Sequence, residues 1–168
     1  MEHKNKTKVI AEPGKQELFI IREFDAPREL VFKAFTDADL IVQWLGPCDM
    51  TMRIESHEMR NGGWWRYFHK TKDGMEFGFH GCIHDITAPS RIIRTFEFEG
   101  LPESGHVVLE TAHFEELPKQ RTKFTIQSVF QSVADRDGMV QSGMEGGVVD
   151  SHNKMDELFE KLLATKSK

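Results

Sequence analysis

The chain has 168 residues, 39% of them hydrophobic, and a formal net charge of −5 with acidic and basic side chains interleaved rather than blocked. That length suits one domain with one core, and a folded chain of this size buries roughly 70% of the surface it exposes when unfolded, so neither disulfides nor a structural metal is needed. A mixed, net acidic surface gives a polyanion no favourable field, which argues against nucleic acid or an anionic membrane as partner, and no run approaches the ~20 apolar residues of a membrane span.

In chain order, Val9-Ile10 and Leu18 to Ile21 flank Pro13-Gly14, a turn pair, and predict a hairpin or a strand with a preceding arm. Pro27 sits where a first helical turn tolerates a missing N–H, and Leu30, Val31, Ala34 and Phe35 follow at helical spacing. A second short helix is expected from Thr36-Asp37-Ala38-Asp39, an N-cap with an acid in the first turn, through Leu40, Ile41, Trp44 and Leu45 to the stop at Gly46-Pro47. From Thr51 to Phe130 short aromatic and aliphatic segments alternate with turn chemistry such as Asn61-Gly62-Gly63, Asp73-Gly74 and Pro118-Lys119, which predicts about six antiparallel strands. Ile92, Arg94, Phe96 and Phe98 alternate with Ile93, Thr95, Glu97 and Glu99, giving one aromatic and one wet face. Val148, His152, Met155, Leu158, Phe159, Leu162 and Leu163 then form the apolar stripe of a terminal helix, whose start is weakened by Gly138, Gly143, Gly146 and Gly147. The order is α+β: a curved antiparallel sheet whose covered face lies against the terminal helix. The expected layout is a tail at residues 1–6, one domain at 7–164 and a tail at 165–168.

Cys48 and Cys82 lack C-x-x-C spacing and no secretory signal precedes them, so they read as ordinary core residues of a reduced, cytoplasmic protein.

The residues Phe24-Asp25-Ala26-Pro27-Arg28-Glu29-Leu30-Val31-Phe32 and Trp44-Leu45-Gly46-Pro47 resemble the opening of the activator-of-heat-shock-ATPase-like proteins of the SRPBCC (START-like) superfamily. The resemblance continues through Gly62-Gly63-Trp64-Trp65-Arg66-Tyr67, Phe79-x-Gly81, Pro89-x-Arg91-Ile92 and Gly143-Met144-Glu145-x-Gly147, covering roughly residues 7 to 164. It implies a helix-grip fold, with about six or seven strands curved around a long C-terminal helix and two short helices after the first strand. Relatives of this type usually carry a tryptophan beside the glycine that opens the last helix. This chain has Gly147-Val148 instead.

Three kinds of function follow as expectations. The first is binding of a small apolar molecule between sheet and terminal helix, in a pocket assigned to Trp44, Trp65, Tyr67, Phe79, Phe96, Phe98, Phe124, Phe130, Met144, Val148 and Met155. The same aromatic set would equally serve as plain core. The second, implied by the resemblance, is interaction with a heat-shock ATPase. The third is polyketide-cyclase-like catalysis using a pocket acid or a histidine such as His69, His113 or His152. No catalytic residue, metal ligand or cofactor is assigned. His80 and His84 stand four positions apart on a strand, ~13 Å, too far to share one ion. Glu110 is expected outward or at a strand irregularity, and Arg66 and Arg94 either anchor an acidic group or pair on the sheet exterior. The chain is expected to be a monomer or homodimer.

Overall fold

A computed structural model describes residues 4–166. The elements run β1 (Lys8–Ile10), β2 (Glu17–Phe24), α1 (Arg28–Thr36), α2 (Ala38–Trp44), β3 (Thr51–His57), β4 (Trp64–Lys70), β5 (Glu76–Thr87), β6 (Arg91–Phe98), β7 (Val108–Leu117), β8 (Arg121–Val129), α3 (Val133–Gln141) and α4 (Met144–Lys166). The eight strands form one antiparallel sheet in the order β1-β2-β8-β7-β6-β5-β4-β3. The strand beyond the expected six or seven is the short β1, paired to β2 from Lys8↔Ile21 to Ile10↔Phe19. Of the expected tails, residues 1–3, 167 and 168 lie outside the described residues, and α4 runs on to Lys166. Among the described residues no helix is long and apolar enough to cross a membrane.

Local chemistry sets the boundaries. Asp37 caps α2 by accepting from the backbone N–H groups of Asp39 (2.9 Å) and Leu40 (3.3 Å). Gly143, at φ +82°, breaks the terminal helical stretch into α3 and α4. On β5 the apolar residues of both faces are reconciled by an irregularity between Ile83 and Asp85, which switches parity so that Phe79, Ile83 and Ile86 all face inward. Gly81 lies opposite Trp65 on β4, and a Cβ there would run into the Thr95 carbonyl and come within 2.8 Å of Trp65 Cζ2. Glycine is therefore what lets the indole lie flat against β5.

The core is unevenly divided. Phe24, Phe114, Phe124, Met155 and Phe159 pack with α1 and α2 into one closed cluster. Its rings are edge-on or tilted neighbours, with Phe24 and Phe159 at 5.5 Å and Phe32 and Phe114 at 5.2 Å. Trp65, Tyr67 and Ile83 centre a second cluster under β3 to β6, and Leu18, Ile20, Val108 and Phe130 a third under α3 and the start of α4.

The loop after α2 is tied to α4. Gly46 N–H donates to Ser151 Oγ at 2.9 Å, and Cys48 N–H to the Asp150 carboxylate at 3.1 Å. Gly46 has φ +105°, and a Cβ there would lie 2.5 Å from His69 Cε1, so this crossing accepts only glycine.

Candidate functional site

β6 turns Ile92, Arg94, Phe96 and Phe98 to the concave face, and β7 turns Val108, Glu110, Ala112 and Phe114 to the same face. The β6–β7 register sets Arg94 opposite Glu110, so a charged pair occupies the middle of an otherwise apolar surface. Arg94 Nε donates to one carboxylate oxygen of Glu110 at 2.8 Å, with only 20% and 14% of the two side chains exposed. The guanidinium also lies over the Trp65 ring, 4.6 Å from its centroid. Glu110 is thus inward and paired, not outward as the sequence suggested. The reason is its parity with Val108, Ala112 and Phe114 and the partner that the register supplies. Arg66 takes the exterior alternative, bridging Glu99 (2.8 Å) and Glu55 (2.7 Å) on the convex face.

Beside the pair is a cavity of about 20 Å³, floored by Ile92, Arg94, Glu110, Ala112 and Ile126 and roofed by Phe35 and Met59. That is room for about one water. The roof comes from the end of α1 and the β3–β4 loop, and His57 joins the two by a 3.1 Å hydrogen bond between its Nε2 and the Thr36 carbonyl. A helix lying flat on the sheet would seal the inward residues of the central strands. Arg94, Phe96, Glu110 and Ile126 nevertheless all keep accessible surface.

None of the eleven residues assigned from sequence lines this cavity. Trp44, Phe124 and Met155 belong to the closed cluster, where Trp44 Nε1 donates to the Ala34 carbonyl at 2.9 Å. Trp65, Tyr67, Phe79 and Phe96 pack together, with Trp65 and Tyr67 stacked at 5.2 Å. Phe130, Met144 and Val148 pack with Phe96 and Ile126 under α3 and α4. Phe98 meets the Phe79 ring at 5.2 Å at the open end of β6. Ile126 thus belongs to the third cluster and also lines the cavity.

Apart from its paired charges, the interior holds imidazoles and a phenol kept in their neutral forms. Burial above all, with Arg94 adding to it, holds His57 below the usual imidazole range, although its bond to Thr36 opposes this. Burial, reinforced by Lys154, lowers His69 to about 4, and burial keeps the Tyr67 phenol protonated well above its ordinary range. Trp65 Nε1 and His69 Nε2 are buried without a hydrogen-bond partner among the described residues. A separate buried cluster joins β2 to α4. Arg22, 1% exposed, pairs with Asp156 and bonds Asn153 (3.3 Å) and Thr7 (3.1 Å), and Thr7 shares a 2.9 Å bond with His152. Burial, and then the Arg22 charge, lowers His152 to about 3.

The remaining candidates lie on the surface. His80 is held on the convex face between Glu97 (3.1 Å) and Glu99 (2.8 Å) and stacks on Trp64 at 5.0 Å, while His84 and His113 are exposed. Cys48 and Cys82 are exposed rather than core residues, because Cys82 falls on the outward parity of β5 and Cys48 lies in the loop after α2.

With this geometry in hand, the family model described as "Activator of Hsp90 ATPase homolog 1-like protein" matches residues 25–160. The chain belongs to that family. A protein from Arthrobacter aurescens solved by NMR superimposes with a TM-score of 0.82 at 26% identity, covering 92% of this chain and 91% of that one. Crystal structures from Rhodobacter sphaeroides (TM-score 0.82, 20% identity, 92% and 98% covered) and Mycobacterium smegmatis (0.81, 22%, 90% and 95%) share the fold. No protein of curated function shows significant similarity to the chain. The family match spans both halves of the candidate site, from Phe35 to α4. What varies within such a fold is the site, and function has to be argued there.

Proposed function

We propose that this SRPBCC domain binds a small, mainly apolar molecule on the concave face of its sheet, beside the Arg94–Glu110 pair and reaching toward Met144 and Val148 at the start of α4. One observation carries the reading: an ion pair set in an apolar surface next to a cavity, on central strands that the helices leave accessible. Replacing a buried ion pair by apolar side chains is often neutral or stabilising, so the pair is poorly explained by stability alone. The cavity of about 20 Å³ accommodates only a polar head. The apolar body has to displace the side chains at the mouth, where α4 begins with Gly146 and Gly147 and bends away from α3 at Gly143. A cytoplasmic location is proposed with it, which suits two exposed cysteines that form no disulfide.

Native mass spectrometry of the protein purified from its own cells, followed by organic extraction of the denatured sample, tests the reading. A stoichiometric apolar molecule is expected. The check on an empty protein is a titration with 2-ethylnaphthalene followed by ¹³C-methyl NMR of methionine. Met59, in the cavity roof, should shift saturably, while Met75, 56% exposed, should not. An empty protein whose Met59 does not respond overturns the proposal.

A second reading, association with a heat-shock ATPase, draws on the family description and on Trp64, which is 39% exposed on the convex face. A pull-down with purified ATPase decides it, with Trp64→Ser expected to abolish capture.

A further inference from the structure

We infer that the site selects an uncharged molecule whose hydroxyl or carbonyl group hydrogen-bonds to the Arg94–Glu110 pair, and that it rejects carboxylates. The inference rests on the proposed binding function and names the class of ligand.

Arg94 meets Glu110 through Nε and a single carboxylate oxygen, not through its two-pronged terminal fork. Among the described residues neither side chain has a further hydrogen bond within the chain, and both line the cavity. The pair therefore offers unused guanidinium donors and an unused carboxylate oxygen to whatever enters. An oxygen of a ketone, ester or alcohol can accept from Arg94, and a hydroxyl can also donate to Glu110.

Arg94 and Glu110 are the charged residues that line the cavity, and they cancel. The nearby His57 and Tyr67 are held neutral by burial. An entering carboxylate would leave one uncompensated negative charge beside Glu110 in a largely desolvated site, which costs far more than a missing neutral hydrogen bond. A pure hydrocarbon escapes that cost but leaves the pair partly desolvated and unanswered, so it ranks between the two.

Three probes of one shape separate these cases: 2-acetylnaphthalene, 2-ethylnaphthalene and 2-naphthoate at pH 7.5, each titrated into the whole protein with Met59 methyl shifts as readout. The native chain should bind the ketone about tenfold more tightly than the hydrocarbon, and the carboxylate weakest. Glu110→Gln removes the opposing charge while keeping the shape. It should make 2-naphthoate the tightest of the three. The double variant Arg94→Met/Glu110→Leu, which replaces the pair by apolar side chains and so keeps a satisfied interior, should bind the hydrocarbon best. Native preference for 2-naphthoate, or a ranking unchanged in both variants, overturns the inference while leaving apolar binding in place. Absence of saturable binding by all three overturns the reading beneath it.

Discussion

The two halves of the interior are built from the same residue types and reach different ends. Under α1, α2 and the later turns of α4, phenylalanines from β2, β7 and β8 close on Met155 and Phe159, and Phe24, Phe124 and Met155 are buried to within 1%. Under the β3–β4 loop the rings of β4 to β6 are stacked along the sheet, and although Trp65 and Tyr67 of β4 are buried, Phe79, Phe96 and Phe98 on β5 and β6 are only partly covered. The difference lies in what covers them. The closed half faces two helices held by a capped turn and the Trp44 bond to Ala34, whereas the open half faces a loop, a glycine break and an ion pair. Aromatic content alone therefore does not distinguish a core from a site. An inward charge that stays accessible does: Arg22 in the closed half is sealed at 1% exposure, whereas Arg94 and Glu110 keep accessible surface.

The contrast is broken most severely in the closed half. Phe124→Ala should cost about 3–5 kcal/mol, because the four rings around it cannot collapse into the gap. Phe98→Ala, at the half-exposed end of β6, should cost only about 1 kcal/mol. Urea denaturation of the two variants checks the difference. Equal losses would mean that the open half is packed as tightly as the closed one.

Next in size is the ion pair. Glu110→Ala leaves the Arg94 guanidinium without its partner and should destabilise by roughly 2–3 kcal/mol, whereas Arg94→Met/Glu110→Leu should lie within about 1 kcal/mol of the native chain or above it. If the double variant were as unstable as the single one, the pair would be structural and the argument for a site would weaken.

The histidines give a pH signature, read one pH unit at a time. His69 is lowered to about 4 and His152 to about 3 in the fold, against 6.5 unfolded. Between those values the unfolded chain binds more protons, so stability is complete above pH 6.5 and falls as the pH drops toward 4 and then 3. Each histidine contributes a slope of at most about 1.4 kcal/mol per pH unit. His69→Phe, which keeps a ring between Tyr67 and Phe79, should flatten the limb between pH 6.5 and 4 and leave that of His152. Urea midpoints measured at several pH values test this. An unchanged limb would show that His69 titrates normally in the fold.

Much of the closed half is legible in the sequence, because hairpin, caps and amphipathic stripe are local signals: Pro13-Gly14, Asp37 and the run from Val148 to Leu163 all lie where their chemistry places them. The open half is less so. Arg94 carries a readable sign, since it alternates onto the same face as Ile92, Phe96 and Phe98, and an inward arginine demands a partner. That the partner is Glu110 depends on the β6–β7 register across a nine-residue connection from Glu99 to Val107, which no local pattern fixes. The cavity roof is further still from sequence reach, because Phe35 and Met59 meet only when α1 and the β3–β4 loop are brought together through His57. On β5 the glycines are natural suspects for a bulge, yet the irregularity falls at Ile83/Asp85, and Gly81 serves the close approach of Trp65 instead.

The finest test of the contrast is Val148→Trp, which restores at the start of α4 the ring that relatives of this type usually carry there. Val148 packs against the cluster of Leu18, Ile20, Val108 and Phe130, as do Phe96 and the cavity-lining Ile126, and it is only partly buried. A tryptophan at that point has room to lie over the mouth without entering a packed core, so the change in stability should stay within about 1 kcal/mol. Its effect on binding should be larger than its effect on folding. By occupying the route along Phe96 it should weaken 2-acetylnaphthalene about tenfold, seen as a loss of the Met59 response at a fixed probe concentration. If Val148→Trp instead left the affinity intact, the probe would enter elsewhere, between the β3–β4 loop and α1, and the first turns of α4 would not form part of the site.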